Sequence, residues 1–144
     1  MKKELAIEFA LVKISTEEFA TFEENFQLDK EVGNNFDFGF SINSKERLIL
    51  WNFKLENSSD DKLFLKGVFH ITFMISPDSW KKIQKKNKIN FPKDFLIHCA
   101  VLSIGTIRGI LHEKVSKINS PLSQFILPLF NISDVIEEDV TVDL

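Results

Sequence analysis

Three histidines and one cysteine are the side chains of this 144-residue chain best suited to nucleophilic or metal chemistry. His98 and Cys99 are adjacent, so on a helix their side chains diverge by about 100°. Cys99 and His112 stand thirteen positions apart, about 20 Å along a helix. Within one helix neither pair makes a nucleophile with its base. The same distance keeps His98 and His112 from sharing a metal ion. His70 lies among alternating apolar residues and reads as a half-buried strand histidine. With Thr72 it is the one polar pair that could line a small-ligand pocket. A thiolate metal site needs partners that a lone cysteine lacks. No glycine-rich phosphate loop follows a strand pattern, and no nucleophile elbow occurs. Carboxylates pair only in surface-type clusters such as Glu17-Glu18 and Glu137-Glu138. The expectation is a protein without catalytic residues, without a metal and without a cofactor.

Charge narrows the partners. The net charge is −3 and the pI about 5.6, which argues against a nucleic-acid binder. Six lysines fall between Lys81 and Lys93. They could meet an anion, but in an acidic chain they read as a solvated linker. The single cysteine excludes an intrachain disulfide and fits a reducing compartment, so a cytoplasmic location is expected. No uninterrupted run of 18 apolar residues occurs, which argues against a membrane span. Glu8 and Lys13 interrupt any apolar stretch after Met1-Lys2-Lys3-Glu4, so no signal peptide is expected.

The elements that must position any site follow from hydrophobic period. Hydrophobic residues make up 44% and charged residues 27% of the chain, ordinary values for one soluble globular domain over residues 1–144. Four segments alternate as strands do. Leu5 to Ile14 places Leu5, Ile7, Phe9 and Leu11 on one face; the alternation then blurs through Leu28. Phe36 to Ile42, Arg47 to Glu56 and Lys62 to Ile75 follow. Polar turns join the last three, favouring antiparallel neighbours over residues 1–76. Residues 77–144 change period. Ser76 caps a short helix opened by Pro77. A long helix runs from about Pro92 to Val115, apolar almost all round, so one sheet leaves part of it uncovered. Gly105 and Gly109 lie four apart on it and permit close approach of another element. Pro121 and Pro128 bracket an extended return. Ser133 then caps a short helix to about Asp139, and the acidic end is expected to be flexible and solvated. The fold class is α+β: a four-stranded antiparallel sheet, a long helix packed on it, a short linking helix and a short C-terminal helix.

This order of parts resembles the SecB family of export chaperones, especially its diverged SecB-like relatives. Phe22-Glu23-Glu24-Asn25-Phe26 resembles the aromatic-bracketed crossover after the family's first strand. Phe64-Leu65-Lys66-Gly67-Val68-Phe69 resembles its last strand, Phe91-Pro92 the start of its long helix, and Arg108-Gly109 that helix's Arg-Gly. Leu127 to Asp134 resembles the entry into its last helix. The spacing from Pro92 to Arg108 is one turn longer than in the best-known members. The acidic sheet position they use to dock the motor SecA is Gly67 here, beside Lys66.

The resemblance implies an ATP-independent holdase that binds unfolded polypeptides in exposed apolar grooves, linked to export. It also implies a homotetramer, a dimer of dimers whose long helices meet through Cys99, Leu102, Gly105 and Gly109. The 15 phenylalanines, against 2 tryptophans and no tyrosine, suit a groove that needs area without fixed hydrogen-bond demands. The groove is placed between Phe19, Phe22, Phe26 and Leu28 of the crossover and Leu129, Phe130, Val135 and Ile136 of the return and tail. An alternative is a module for one dedicated partner, such as those tied to toxin–antitoxin systems or phages.

Overall fold

The structure, a computed structural model, describes residues 6–144. Leu5 of the expected first strand lies outside the described residues. Four antiparallel strands form the main sheet: β1 (Phe9–Thr21), β2 (Val32–Asn43), β3 (Leu48–Ser59) and β4 (Lys62–Ile75). Their spatial order is β1-β4-β3-β2. Consecutive β1 and β2 therefore occupy opposite edges, and residues 22–31 cross the sheet between them. This crossover holds a single 3₁₀ turn, Glu23–Asn25, pinned where Phe22 N–H donates to Phe64 O at 2.8 Å and Asn25 Nδ2 donates to Leu63 O at 2.7 Å.

The inner face follows from alternation in the two central strands. Ile49, Trp51, Phe53 and Leu55 of β3 and Phe69, Ile71, Phe73 and Ile75 of β4 are buried. β1 is longer than its pattern suggests. Register shifts between Leu11 and Lys13 and between Thr16 and Glu18 break the two-residue period that would otherwise mark it.

Ser76 accepts from Ser79 N–H and opens helix α1 (Pro77–Ile83), with Pro77 in its first turn. A lysine-rich hairpin follows, β5 (Gln84–Lys85) and β6 (Lys88–Phe91), and then the long helix α2 (Lys93–Val115). α2 lays Phe95, Leu96, Cys99, Ala100, Ile104, Ile107 and Leu111 on the core. By length and composition α2 is apolar enough to cross a membrane, with a mean hydropathy of 1.5 over 18 residues. Scattered polar residues hide this from a search for unbroken apolar runs. In this fold the apolarity serves the sheet, and its outer face still exposes Val101 and Leu102.

The C-terminal part departs from expectation. The segment after Asn131 makes only a 3₁₀ turn, Ile132–Asp134, rather than a helix to Asp139. Its run of acids offers no apolar stripe to bury. The acidic end is not left free either: β7 (Val140–Asp143) pairs antiparallel with β6 and completes a small sheet of order β5-β6-β7.

Candidate functional site

Edge strand β2 carries the feature most suited to binding. Val32, Asn34, Phe36, Phe38 and Phe40 fall on one face by alternation, spanning about 26 Å at roughly 3.3 Å per residue. The three phenylalanines are half-buried. They lean on the central aromatics: Phe38 lies 5.9 Å from Phe53, and Phe40 lies 5.0 Å from Trp51 and 5.5 Å from Phe91, between ring centroids.

Two grooves lie along this face. One, of about 450 Å³, is lined by Phe38, Phe40, Trp51 and Leu96, with Val135, Ile136, Val140 and Val142 on the other side. The second, of about 340 Å³, lies between Phe26 and Leu28 of the crossover and Phe125, Ile126 and Pro128 of the return, with Val32 and Asn34 at its side. Phe36 sits between them along β2 and stacks on Phe130 at 5.1 Å and 15°. The result is a line of apolar side chains open to solvent. Leu129 is 87% exposed, Val135 62% and Leu28 58%.

The return is held from the helix. Arg108 Nε donates to Leu127 O and its Nη2 to Pro128 O, both at 2.9 Å. The fixed fork of the guanidinium suits two successive carbonyls. Arg108 thereby positions the segment that presents Leu129 and Phe130.

Of the residues assigned to the groove from sequence, Phe26, Leu28, Phe130, Val135 and Ile136 lie in or between the two grooves, and Leu129 stands beside Phe130. Phe19 does not join them. It lies at the β1 edge, across the sheet from β2, with Lys114 Nζ 5.2 Å from its ring centre. Phe22, 40% exposed, opens the crossover next to β4 and lines neither groove. From sequence, Phe36, Phe38 and Phe40 only share one face of a strand. The excess of phenylalanine was the signal that they do more than fill a core.

The helix residues assigned to an oligomer contact divide as well. Leu102, Gly105 and Gly109 are exposed, and a Cβ at either glycine would meet nothing within 4 Å. Cys99, about 60–120° around the helix from these three, is fully buried within the single chain; this corrects its place among them. Burial pushes its thiol up to about 12, and the neighbouring Trp51 side chain offsets only part of that shift. A thiol held protonated is a poor nucleophile.

His70 Nδ1 lies 3.4 Å from Glu17 Oε1 at the surface, and the His98 ring packs edge-on against Phe9 at 5.4 Å. Neither enters a groove. Among the described residues, no three His, Cys, Asp or Glu side chains converge as a metal site requires.

An antiparallel four-stranded sheet in this crossed order, backed by one long helix, is a fold that this chain shares with a solved SecB-like chaperone. A solved example that superposes on it is a SecB-like chaperone of Mycobacterium tuberculosis in complex with a ChAD peptide from the HigA1 antitoxin. The TM-score is 0.54, covering 85% of this chain and 90% of that chain at 7% sequence identity. The likeness is one of fold. No family model and no curated protein sequence matches this chain.

Proposed function

We propose that the chain is an ATP-independent holdase that keeps non-native polypeptide segments in the apolar trough along β2. The observation that carries this reading is the trough itself. A row of half-buried phenylalanines runs beside Leu28, Leu129 and Val135, which are more than half exposed, where an ordinary core would close over them. Lining that is mostly aromatic and aliphatic, with Glu137 and Glu138 at one side of the first groove, gives area-driven, sequence-tolerant binding. The free edge of β2 adds backbone donors and acceptors that an extended client can pair with.

In this reading the client residues are Phe26, Leu28, Leu129, Phe130, Val135 and Ile136, joined by Phe36, Phe38 and Phe40. The exposed face of α2, with Val101, Leu102, Gly105 and Gly109, is covered by a second copy, in a dimer or a dimer of dimers. Leu11, Val12 and Ile14 at the β1 edge, each more than 40% exposed, extend that contact. The protein works in the cytoplasm and needs no cofactor. Transfer of clients to SecA for export is not part of the reading. The corresponding sheet position, Gly67, is buried under the Phe69 ring.

A second reading is favoured by the antitoxin peptide held by the M. tuberculosis neighbour: the same trough serves one dedicated partner. Light-scattering mass, measured alone and with a reduced, chemically unfolded protein, separates the two. A general holdase forms a stoichiometric complex with the unfolded chain and none with its native form. Indifference to the unfolded chain overturns the holdase reading and leaves the dedicated partner.

A further inference from the structure

The six lysines between Lys81 and Lys93 have a definite arrangement. Lys85 and Lys88 face each other across the β5–β6 hairpin, and Lys82 belongs to the last turn of α1. With Asn90, Thr141 and buried Ile83, these three line a groove of about 380 Å³. All six lysines are exposed. Lys88 has Asp143 at 3.9 Å. Among the described residues, none of the other five has a carboxylate within 4.0 Å. The chain has 18 basic and 21 acidic residues in all. Concentrating six of the former here leaves the remainder strongly acidic.

One extended segment already lies beside this groove: the chain's own C-terminus. β7 pairs with β6 over four positions, Lys88 to Phe91 against Asp143 to Val140. Leu144 N–H donates to Asn87 O at 2.7 Å, Lys93 N–H to Asp139 Oδ1 at 2.8 Å, and Thr141 Oγ1 bonds Asn90 Oδ1 at 3.0 Å. Alternation along β7 sends Val140 and Val142 to the apolar groove and Thr141 and Asp143 to the lysine face. The tail from Asp134 onward carries Glu137, Glu138, Asp139 and Asp143 besides, and no base. Its composition therefore states what this edge accepts: an extended strand, apolar at every second position, with Thr141 and Asp143 toward the lysines and further acids just before it.

We propose that the β6 edge and its lysine face form a docking site for an extended acidic segment of a partner protein, and that β7 occupies the site as an internal stand-in which the partner segment displaces. Main-chain ladder bonds supply affinity, and the lysines select charge. A strand of four residues is short enough to exchange. A long polyanion such as RNA fits less well, because beyond the patch it runs onto an acidic surface. The site shares β7 with the trough, whose wall includes Val140 and Val142, but its ligand is recognised by charge and the trough's by apolar area.

The test uses the full chain and a fluorescein-labelled peptide of the sequence Ser133 to Leu144, read by anisotropy at low salt. A control peptide replaces every Asp and Glu by Asn and Gln. Val142→Lys detaches β7 by replacing its apolar anchor with a cation on the apolar-groove side. Asp143→Lys, at an exposed position, does so without touching the core, and circular dichroism verifies that each variant is folded. The expected result is at least tenfold tighter binding of the acidic peptide to the folded tail variant than to the unaltered chain. That gain is lost when Lys82→Glu and Lys85→Glu are added, and the amide peptide binds at least tenfold more weakly. Equal binding by the tail variant and the unaltered chain overturns the proposal. Equal binding of the two peptides also overturns it, as does tighter binding of a twelve-nucleotide single-stranded RNA than of the acidic peptide.

Discussion

A methyl group at Gly67 would stand 2.6 Å from the nearest carbon of the Phe69 ring, which is itself fully buried. The ring has no free direction in which to swing, so Gly67→Ala is expected to lower unfolding stability by about 1–3 kcal/mol, as overpacking does. Urea denaturation gives that number directly. Cys99 supplies a prediction of opposite kind. Its thiol is raised from 9.0 to about 12 by burial in the fold. Between those values the unfolded chain loses a proton that the folded chain keeps. Stability is therefore unaffected below pH 9 and falls above it, by up to about 1.4 kcal/mol per pH unit. Urea midpoints at pH 8 and pH 10 should differ by less in Cys99→Ala than in the unaltered chain. At residue scale the sequence was most legible in β3, where Ile49, Trp51, Phe53 and Leu55 alternate and all four are buried. It was least legible at Cys99, because helical position alone cannot say which side of an all-apolar helix faces the sheet.

Among the elements, the return is the one whose position depends on a single side chain. Arg108 holds two of its carbonyls. Arg108→Lys keeps the charge but not the fork, so it should cost stability by about 1.5–3 kcal/mol, the worth of a hydrogen bond to a charged group. Client affinity should fall as well, because Leu129 and Phe130 lose their fixed place. Leu129→Ser separates the two effects. At 87% exposure, that change should stay within about 0.5 kcal/mol in stability while weakening binding of an unfolded client. Phe26→Ser, by contrast, removes a ring packed 4.9 Å from Phe64 and 6.2 Å from Phe125, and should cost about 2–4 kcal/mol. If Leu129→Ser and Phe26→Ser weaken binding only in step with stability, the trough is core and not client surface. Elements with sustained period were readable in advance. β4 runs from Lys62 to Ile75 and α2 ends at Val115, both as the pattern indicates. The β5–β6–β7 sheet was not readable, since strands of two and four residues are too short to show a period. The second half of β1, Ser15 to Thr21, escaped for another reason: register shifts interrupt the side-chain alternation.

For the whole molecule, the exposed stripe of Val101, Leu102, Gly105 and Gly109 is the surface on which the proposed second copy is tested. If a second copy covers it, Val101→Lys with Leu102→Lys should leave the fold intact and lower the mass in solution to that of a smaller species. Both side chains are more than 40% exposed in the single chain, so the charges do not enter its core. An unchanged mass overturns a second copy on this stripe; if that mass exceeds one chain, the β1 edge is the next surface to alter. At this scale the α+β architecture was legible from the order of strand-like and helix-like periods. The edge positions of β1 and β2 were not, because pairing order depends on long-range contacts that no local window contains.

That pairing order has a consequence for how the chain is born. β1 ends at Thr21, yet β4, its only strand neighbour among the described residues, is complete at Ile75. At about 5–20 residues per second of synthesis, β1 spends roughly 3–10 s outside or inside the ribosome exit path without its partner. β2 and β3 can close a hairpin in that interval, whereas Leu11, Val12 and Ile14 wait on a bare strand. A nascent chain halted before Lys62 should therefore carry a sticky N-terminal segment that the finished protein has stitched to its sheet.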